Sequence, residues 1–565
     1  MHHALQIVEI VRAICWDVKH SGMQGEPTLV SLAQTCRTFQ DPALDTLWEH
    51  LYTIDTLIRA LPKDAWIYKK DDDDDEYEDE NPDLSENGSP DSITILNRPL
   101  TPADWAIIRK YAPRVRTLWQ ARPLSSETFW ALSVVPNGMM PLLPNLKDLR
   151  WLDKNLNDFP SMRLLLPSSL VTMDCSLKGD PHRVCAQIAA LSRMCPRMKD
   201  MEMSSYNRIP QAMETFSRAL CSWTNITRLR CEEITDDAWI HIASFPRLTE
   251  LSVSASPATS FRRLRDRMPE NPFSSVTSLD FCSVKLDQAT EFISETAISP
   301  TDLGIHCLHS KSATLAEALI NAIVETCGIS LKKLTVGYTD KETFISPPPL
   351  DSIRQRGNFL TLASLKPLFR FKNLHTLKID VVCKMDLGDN DIIELAKAFP
   401  HLQDLSLNSR FGWQQRSKVT FFGFFSLLSH CPELEEIGIV FDAEDLSAVD
   451  PELDTPPERR APIPAQRDFT YELTVGDSRI GDPEKVAAVL LAVFPCLEDI
   501  HSWMLCDALP MDEERAREGM PHYLGWQKVQ ELIQRSRSEM EDEESGSDED
   551  GDDDSDDDDE TVMGD

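Results

Sequence analysis

Leu248-Thr-Glu-Leu251-Ser-Val253 is one copy of a phrase that recurs through most of the chain: apolar-x-x-apolar, then x-apolar, often with a proline just ahead. Earlier copies are Val115-Arg-Thr-Leu118, Leu146-Lys-Asp-Leu149-Arg-Trp151, Leu170-Val-Thr-Met173-Asp-Cys175, Met198-Lys-Asp-Met201-Glu-Met203 and Ile226-Thr-Arg-Leu229-Arg-Cys231. Later copies start at Val276, Leu331, Leu374, Leu402, Leu434 and Leu497, with a degraded one at Leu303-Gly-Ile305. The alternation of its second half reads as a short strand with one buried face. Between copies lie helix-like segments such as Leu315–Cys327 and Ile392–Phe399. Several end in Cys-Pro or Phe-Pro (Cys195-Pro196, Phe245-Pro246, Phe399-Pro400, Cys431-Pro432, Phe494-Pro495), where proline stops a helix before the next strand.

Most intervals between first anchors are roughly 22 to 32 residues, close to the period of about 20–29 for leucine-rich repeats. A strand-plus-helix unit this small cannot cover its own apolar side, so units must stack. The phrase resembles the leucine-rich repeats of F-box proteins. Its spacing is irregular, and the usual Asn or Cys after the strand is mostly missing. The resemblance implies an α/β fold: an irregular solenoid, or horseshoe, of short parallel strands with outer helices over residues 113–510. A generic α/β domain with a parallel sheet fits the same pattern. Tyr338–Asn358 and Pro451–Gln466 read as inserted loops, and Tyr471-Glu-Leu473-Thr-Val475 as a further strand.

Ahead of the repeats, residues 1–51 carry three amphipathic patches: Leu5 to Ile14, Leu29 to Cys36 and Ala43 to Leu51. Asp41-Pro42 suits the start of the third helix, with Asp41 as cap and Pro42 in the first position. Leu5…Glu9-Ile10, Leu32-Ala-Gln-Thr-Cys-Arg37-Thr-Phe39 and Pro42-Ala-Leu44-x-x-Leu47-Trp48-x-x-Leu51 resemble the F-box, in the variant common among fungal F-box proteins. Where that family usually has Leu-Pro, this chain has Leu5-Gln6. The resemblance implies that Leu5, Ile7, Ile10, Ile14, Leu29, Leu32, Leu44, Leu47, Trp48 and Leu51 form the contact with a Skp-type adaptor of a cullin-RING ubiquitin ligase. The alternative is a three-helix cap on the solenoid.

Residues 52–112 read as linker helices interrupted by an acidic, disordered loop at about 69–91. Within them, Thr101-Pro102-Ala-Asp104 opens a helix bearing Trp105, Ile108 and Tyr111 on one face. Residues 511–538 read as a capping helix with Trp526, Val529, Leu532 and Ile533 inward, and 539–565 as an acidic disordered tail.

The net charge of -36 is mostly local. There are 11 acidic residues from Asp71 to Glu86 and 17 from Glu539 to Asp565, with no Lys or Arg in either stretch. Dense like charge with little apolar content disfavours order and repels nucleic acid. Ser545, Ser547 and Ser555 precede acidic residues and suit an acidophilic kinase. No stretch approaches the length of a membrane span, no secretory start is present, and the cysteines fall singly. The expectation is a cytoplasmic or nuclear protein with reduced thiols and no nucleic-acid or membrane partner.

No phosphate-binding loop, dinucleotide fingerprint, His-Glu-x-x-His or nucleophile elbow is present. His306 and His309 are spaced as incidental histidines rather than as a metal pair. The expectation is no catalytic, cofactor-binding or metal residues. What remains is surface. The third and fifth positions of each phrase face the open sheet. They place Arg150, Glu202, Arg228, Arg230, Lys333 and Lys378 on a concave face for a protein substrate. Arg228 and Arg230 either grip an anion, the acidic tail included, or are neutralised by neighbours such as Glu202 and Glu250. The combined resemblance implies the substrate-recognition subunit of an SCF-type ligase. A plain leucine-rich-repeat scaffold, and an acidic-tailed regulator of GTPases or histones, are the alternatives.

Overall fold

The computed structural model describes residues 3–22, 24–70, 92–120, 126–151, 163–176, 181–204, 210–307, 312–337, 359–381, 383–410, 412–449, 456–457, 460–462, 464–467, 472–503 and 513–546. The acidic loop, most of the acidic tail and most of the two inserted segments lie outside them. The chain divides into two compact units, Met1–Val284 with Glu295–Ser299, and Lys285–Ser294 with Pro300–Asp565.

In the first unit, strands His50–Leu51, Thr117–Gln120, Asp148–Trp151, Thr172–Ser176, Asp200–Ser204, Arg228–Cys231, Glu250–Ser254 and Ser278–Val284 pair in parallel, each with the next. The second anchor of each phrase falls in register with its neighbours: Leu118, Leu149, Met173, Met201, Leu229, Leu251 and Leu279 form one row. Every member of that row is buried. Burying a side chain of this size contributes about 1.5–3 kcal/mol, so the row fixes register. Helices Pro181–Met194, Pro210–Leu220 and Asp236–Ile242 cover the apolar side. There Trp239 meets the edges of Phe261, Phe273 and Phe281.

The second unit repeats the scheme through Asp302–Cys307, Lys333–Gly337, Thr376–Asp380, Asp404–Leu407, Glu436–Gly438, Glu472–Gly476 and Asp499–Ser502. Its buried row is Leu303, Leu334, Leu377, Leu405, Ile437, Leu473 and Ile500, of which only Ile500 near the last edge is partly open. Arg467 is 4% exposed and donates to four backbone carbonyls, Leu428, Cys431, Pro432 and Leu434, at the C-terminal end of helix Phe421–His430. Its charge sits where the helix leaves carbonyls without partners.

Helix Glu513–Gly546 runs further than the expected cap and buries Trp526, Val529 and Ile533. Gln530 closes the last strand: its Oε1 accepts from Ile500 N at 2.6 Å, and its amide donates to the Glu498 carbonyl.

Three local expectations are corrected. The third N-terminal helix spans Arg37–Trp48, with Cys36 at its N-cap and Pro42 inside it rather than at its start. The amides of Phe39 and Gln40 both bond Cys36 O, so the helix is under way before Pro42 removes one donor. Leu51 belongs to the first strand of the sheet: it pairs with Leu118 and is buried. Trp66–Lys70 and Ser92–Leu96 form an antiparallel hairpin on either side of the acidic loop, where helical linkers were expected. The start at Thr101 is as read: Thr101 and Asp104 form a reciprocal capping box on helix Pro102–Tyr111.

Candidate functional site

The N-terminal helices Val8–Lys19, Gly25–Thr35 and Arg37–Trp48 close a small core of Val11, Cys15, Leu29 and Ala43. Val18, Leu32, Ala33, Phe39 and Leu47 pack against it. Two apolar stripes run along the first helix, offset by one step. Val11, Cys15 and Val18 face inward, whereas Ile7 and Ile10 are exposed and Ile14 is half-buried. Val8, Trp16 and Val30 are also exposed, Trp16 at 56%.

This placement divides the expected adaptor residues. Ile7 and Ile10 lie open, and Leu5, Ile14 and Leu44 half-buried, on the helices' surface. Leu29 and Leu51 are core residues with no face to offer, because the chain's own packing consumes them. Leu32 and Leu47 are half-buried against that core, and Trp48 stacks on Tyr111 at 4.4 Å between ring centroids. Val8 and Val30 fall within the apolar patches but were not among the expected contact residues, and Trp16 lies two residues beyond the first patch. Periodicity alone does not say which of two adjacent stripes turns inward.

The open face of the first unit's sheet carries two rungs of side chains. One rung is His50, Thr117, Asp148, Thr172, Asp200, Arg228, Glu250 and Ser278. The other is Trp119, Arg150, Asp174, Glu202, Arg230, Ser252 and Asp280, with Tyr52 against Trp119 at its head. The middle of the two rungs lines an open cleft of about 250 Å³, with Arg150, Asp174, Glu202, Arg228 and Arg230 among its residues. Arg150, Glu202, Arg228 and Arg230 are thus brought together.

The two arginines at the middle are neutralised. Arg228 donates to Asp200 at 3.0 Å and Arg230 to Glu202 at 3.3 Å. Of the two alternatives, neutralisation is the outcome, but with Asp200 rather than Glu250 as the partner of Arg228. Arg150 lies over Trp119, 4.6 Å from the ring centroid, with its Nε 3.8 Å from Asp148. Asp174, which the third-and-fifth-position rule also marks but which was passed over, has no hydrogen bond or ion pair among the described residues. Its carboxyl is pushed up to about 6, first by burial and then by the charge of Glu202. Asp200 is held below the usual carboxylate range: its bonds to Arg228 and Thr227 outweigh a large opposing effect of burial.

Lys333 and Lys378 lie in the second unit. Lys333 is exposed on its strand, and Lys378 is paired with Glu436. Ser545 is in the last turn of helix Glu513–Gly546; Ser547 and Ser555 lie outside the described residues. His306 is on strand Asp302–Cys307, and His309 lies outside the described residues. Among the described residues no three His, Cys, Asp or Glu side chains gather as metal ligands, and no helix is long and apolar enough to cross a membrane.

No family model and no curated protein sequence matches the chain. Among solved structures it is similar to the crystal structure of the Rad7 and Elc1 complex in yeast. That likeness has 14% identity and a TM-score of 0.32, over 70% of this chain and 72% of that one. Values this low leave the reading of the surfaces to the residues themselves.

Proposed function

We propose that this chain is the substrate-recognition subunit of an SCF-type ubiquitin ligase. The N-terminal helices dock a Skp-type adaptor, through it a cullin, and the repeat sheet holds a protein substrate, in the cytoplasm or nucleus. The observation that carries the reading is the exposure of Ile7, Val8, Ile10, Trp16 and Val30 on a helix trio whose own core is already filled. Ile7, Ile10 and the half-buried Ile14 fall on one stripe of the first helix, and an apolar stripe left open beside a complete core supports a protein-binding face. A receptor of this kind makes and breaks no bonds. It raises the effective concentration of a target lysine near a ubiquitin-charged enzyme.

The test uses the full chain. Ile10→Asp with Trp16→Asp abolishes capture of a purified Skp-type adaptor while leaving the melting temperature within about 2 °C, as surface changes away from a core do. Leu29→Asp also abolishes capture, but by unfolding the helices. An intact chain that captures no adaptor rejects the ligase reading and leaves a repeat scaffold.

A further inference from the structure

The open face of the first unit's sheet has a chemical sense that the receptor reading leaves open. Five carboxylates line the cleft, on Asp174, Asp200, Glu202, Glu250 and Asp280, against three guanidinium groups, on Arg150, Arg228 and Arg230. All three guanidinium groups are engaged: Arg228 by Asp200, Arg230 by Glu202, and Arg150 by the ring of Trp119 and by Asp148. An anionic ligand would meet carboxylates already paired to these arginines and outnumbering them, whereas a cationic ligand meets a lining with an excess of carboxylates.

The most favourable seat for a cation is the second rung. Asp174 and Glu202 are direct cross-strand partners, so their side chains rise side by side at the strand spacing of about 4.8 Å. Like charges directly opposite are unfavourable. Arg230 relieves Glu202 only through long contacts of 3.3 and 3.4 Å to its two oxygens. Arg150, on the other side of Asp174, is turned toward Trp119 and away from it. Beyond Trp119 the rung ends in Tyr52, 64% exposed, with its ring edge-on to the indole.

We propose that this groove binds an extended basic segment of a partner protein crossing the strands, with a Lys or Arg side chain seated between Asp174 and Glu202 and an apolar residue about five positions along the segment against Tyr52. The inference rests on the receptor reading and names its substrate class: a target that presents a basic, unfolded stretch. A charged hydrogen bond from the incoming cation supplies Asp174 with the donor it lacks, and charge-assisted bonds are the stronger kind. Binding also has a pH signature. Asp174 faces Asp148 and Arg150 on one side and Glu202 and Arg230 on the other, and it must be ionised to receive the cation.

The test measures binding of a fluorescein-labelled dodecapeptide of alternating Lys and Thr to the full chain, with a Glu-for-Lys peptide as control. A photo-crosslinker sits at the peptide's centre. Asp174→Asn weakens the Lys peptide about tenfold without lowering the melting temperature. Wild-type affinity falls from about pH 7.5 to about pH 5.5, and that of Asp174→Asn stays flat. Crosslinks map to residues 172–176 or 200–204. Equal affinity of wild type and Asp174→Asn, equal binding of the Glu peptide, or crosslinks confined to the acidic segments 71–86 and 539–565 overturns the proposal. Adaptor capture by the same preparation separates the two readings. Peptide binding without adaptor capture rejects the ligase, and adaptor capture without site-specific peptide binding rejects the basic-segment groove.

Discussion

Arg114 donates to the carboxylate of Asp41 at 2.7 Å across 73 residues of sequence. The same guanidinium reaches Asp45 and the Asp41 carbonyl, so one side chain from the start of the repeats clasps the third N-terminal helix. Arg114→Met keeps the apolar stem and removes the clasp. The expected result is a loss of about 2 kcal/mol, the scale of hydrogen bonds to charged groups. Hydrogen exchange should quicken within residues 37–48 and stay unchanged in the later strands. Unchanged exchange in that helix would mean the clasp contributes nothing.

Arg467 is a buried polar anchor of the second unit. Arg467→Leu leaves four carbonyls at a helix end without their donor, and the expected loss in chemical denaturation is about 3 kcal/mol or more. Arg467→Lys recovers little of it. One ammonium cannot reproduce the planar fork that reaches carbonyls on both sides.

The raised carboxyl of Asp174 makes a stability prediction of definite sign. Its folded value of about 6 exceeds the ordinary value of 3.8, so between those limits the folded chain holds the proton and the unfolded chain has lost it. Its contribution is therefore increasingly unfavourable as pH rises from about 4 to about 6. Asp174→Asn should melt higher than wild type at neutral pH, with the difference vanishing below about pH 4. A variant that melts lower than wild type at pH 7 would show that the carboxylate is a structural partner and not a strained ligand group.

Removal of residues after 512 strips helix Glu513–Gly546 from the last strand and leaves Trp503, 5% exposed beneath it, uncovered. Ile500 N loses Gln530 as its acceptor. An uncovered edge strand templates pairing with another chain. Light scattering should therefore show concentration-dependent association of the truncated chain, suppressed in the intact one. A truncated chain that stays monomeric at high concentration would show that the edge needs no cover.

Much of the architecture was legible because each strand announces itself in three apolar anchors. Leu251 and its equivalents are buried, even in the degraded copy at Leu303, with Ile500 near the last edge partly open. The first strand was not legible: His50–Leu51 has no phrase ahead of it and is defined only by its pairing with Thr117 and Leu118. Long-range anchors left no trace either. Asp477 accepts from the amides of Trp413 and Gln414 at 2.6 and 2.7 Å, more than sixty residues away, and no local pattern links the two. On the open face the alternation rule placed Arg228 and Arg230 outward but did not give their pairing. Whether Arg228 meets Asp200 or Glu250 depends on side-chain reach across neighbouring strands, which periodicity does not encode.

The strand His50–Leu51 joins the N-terminal helices to the sheet by backbone hydrogen bonds, with no tether between them. The amides of Arg116 and Thr117 both bond the Glu49 carbonyl directly after helix Arg37–Trp48. A hinge needs a few residues free to change φ and ψ, and this junction has none to spare. Whatever seats on Ile10 and Trp16 is consequently held at a constant bearing to whatever lies over Asp174. Under the proposed receptor role, reach as well as affinity would set which lysines of a captured target can be modified: the protein would act as a set square, sparing a target that binds well but turns its lysines the wrong way.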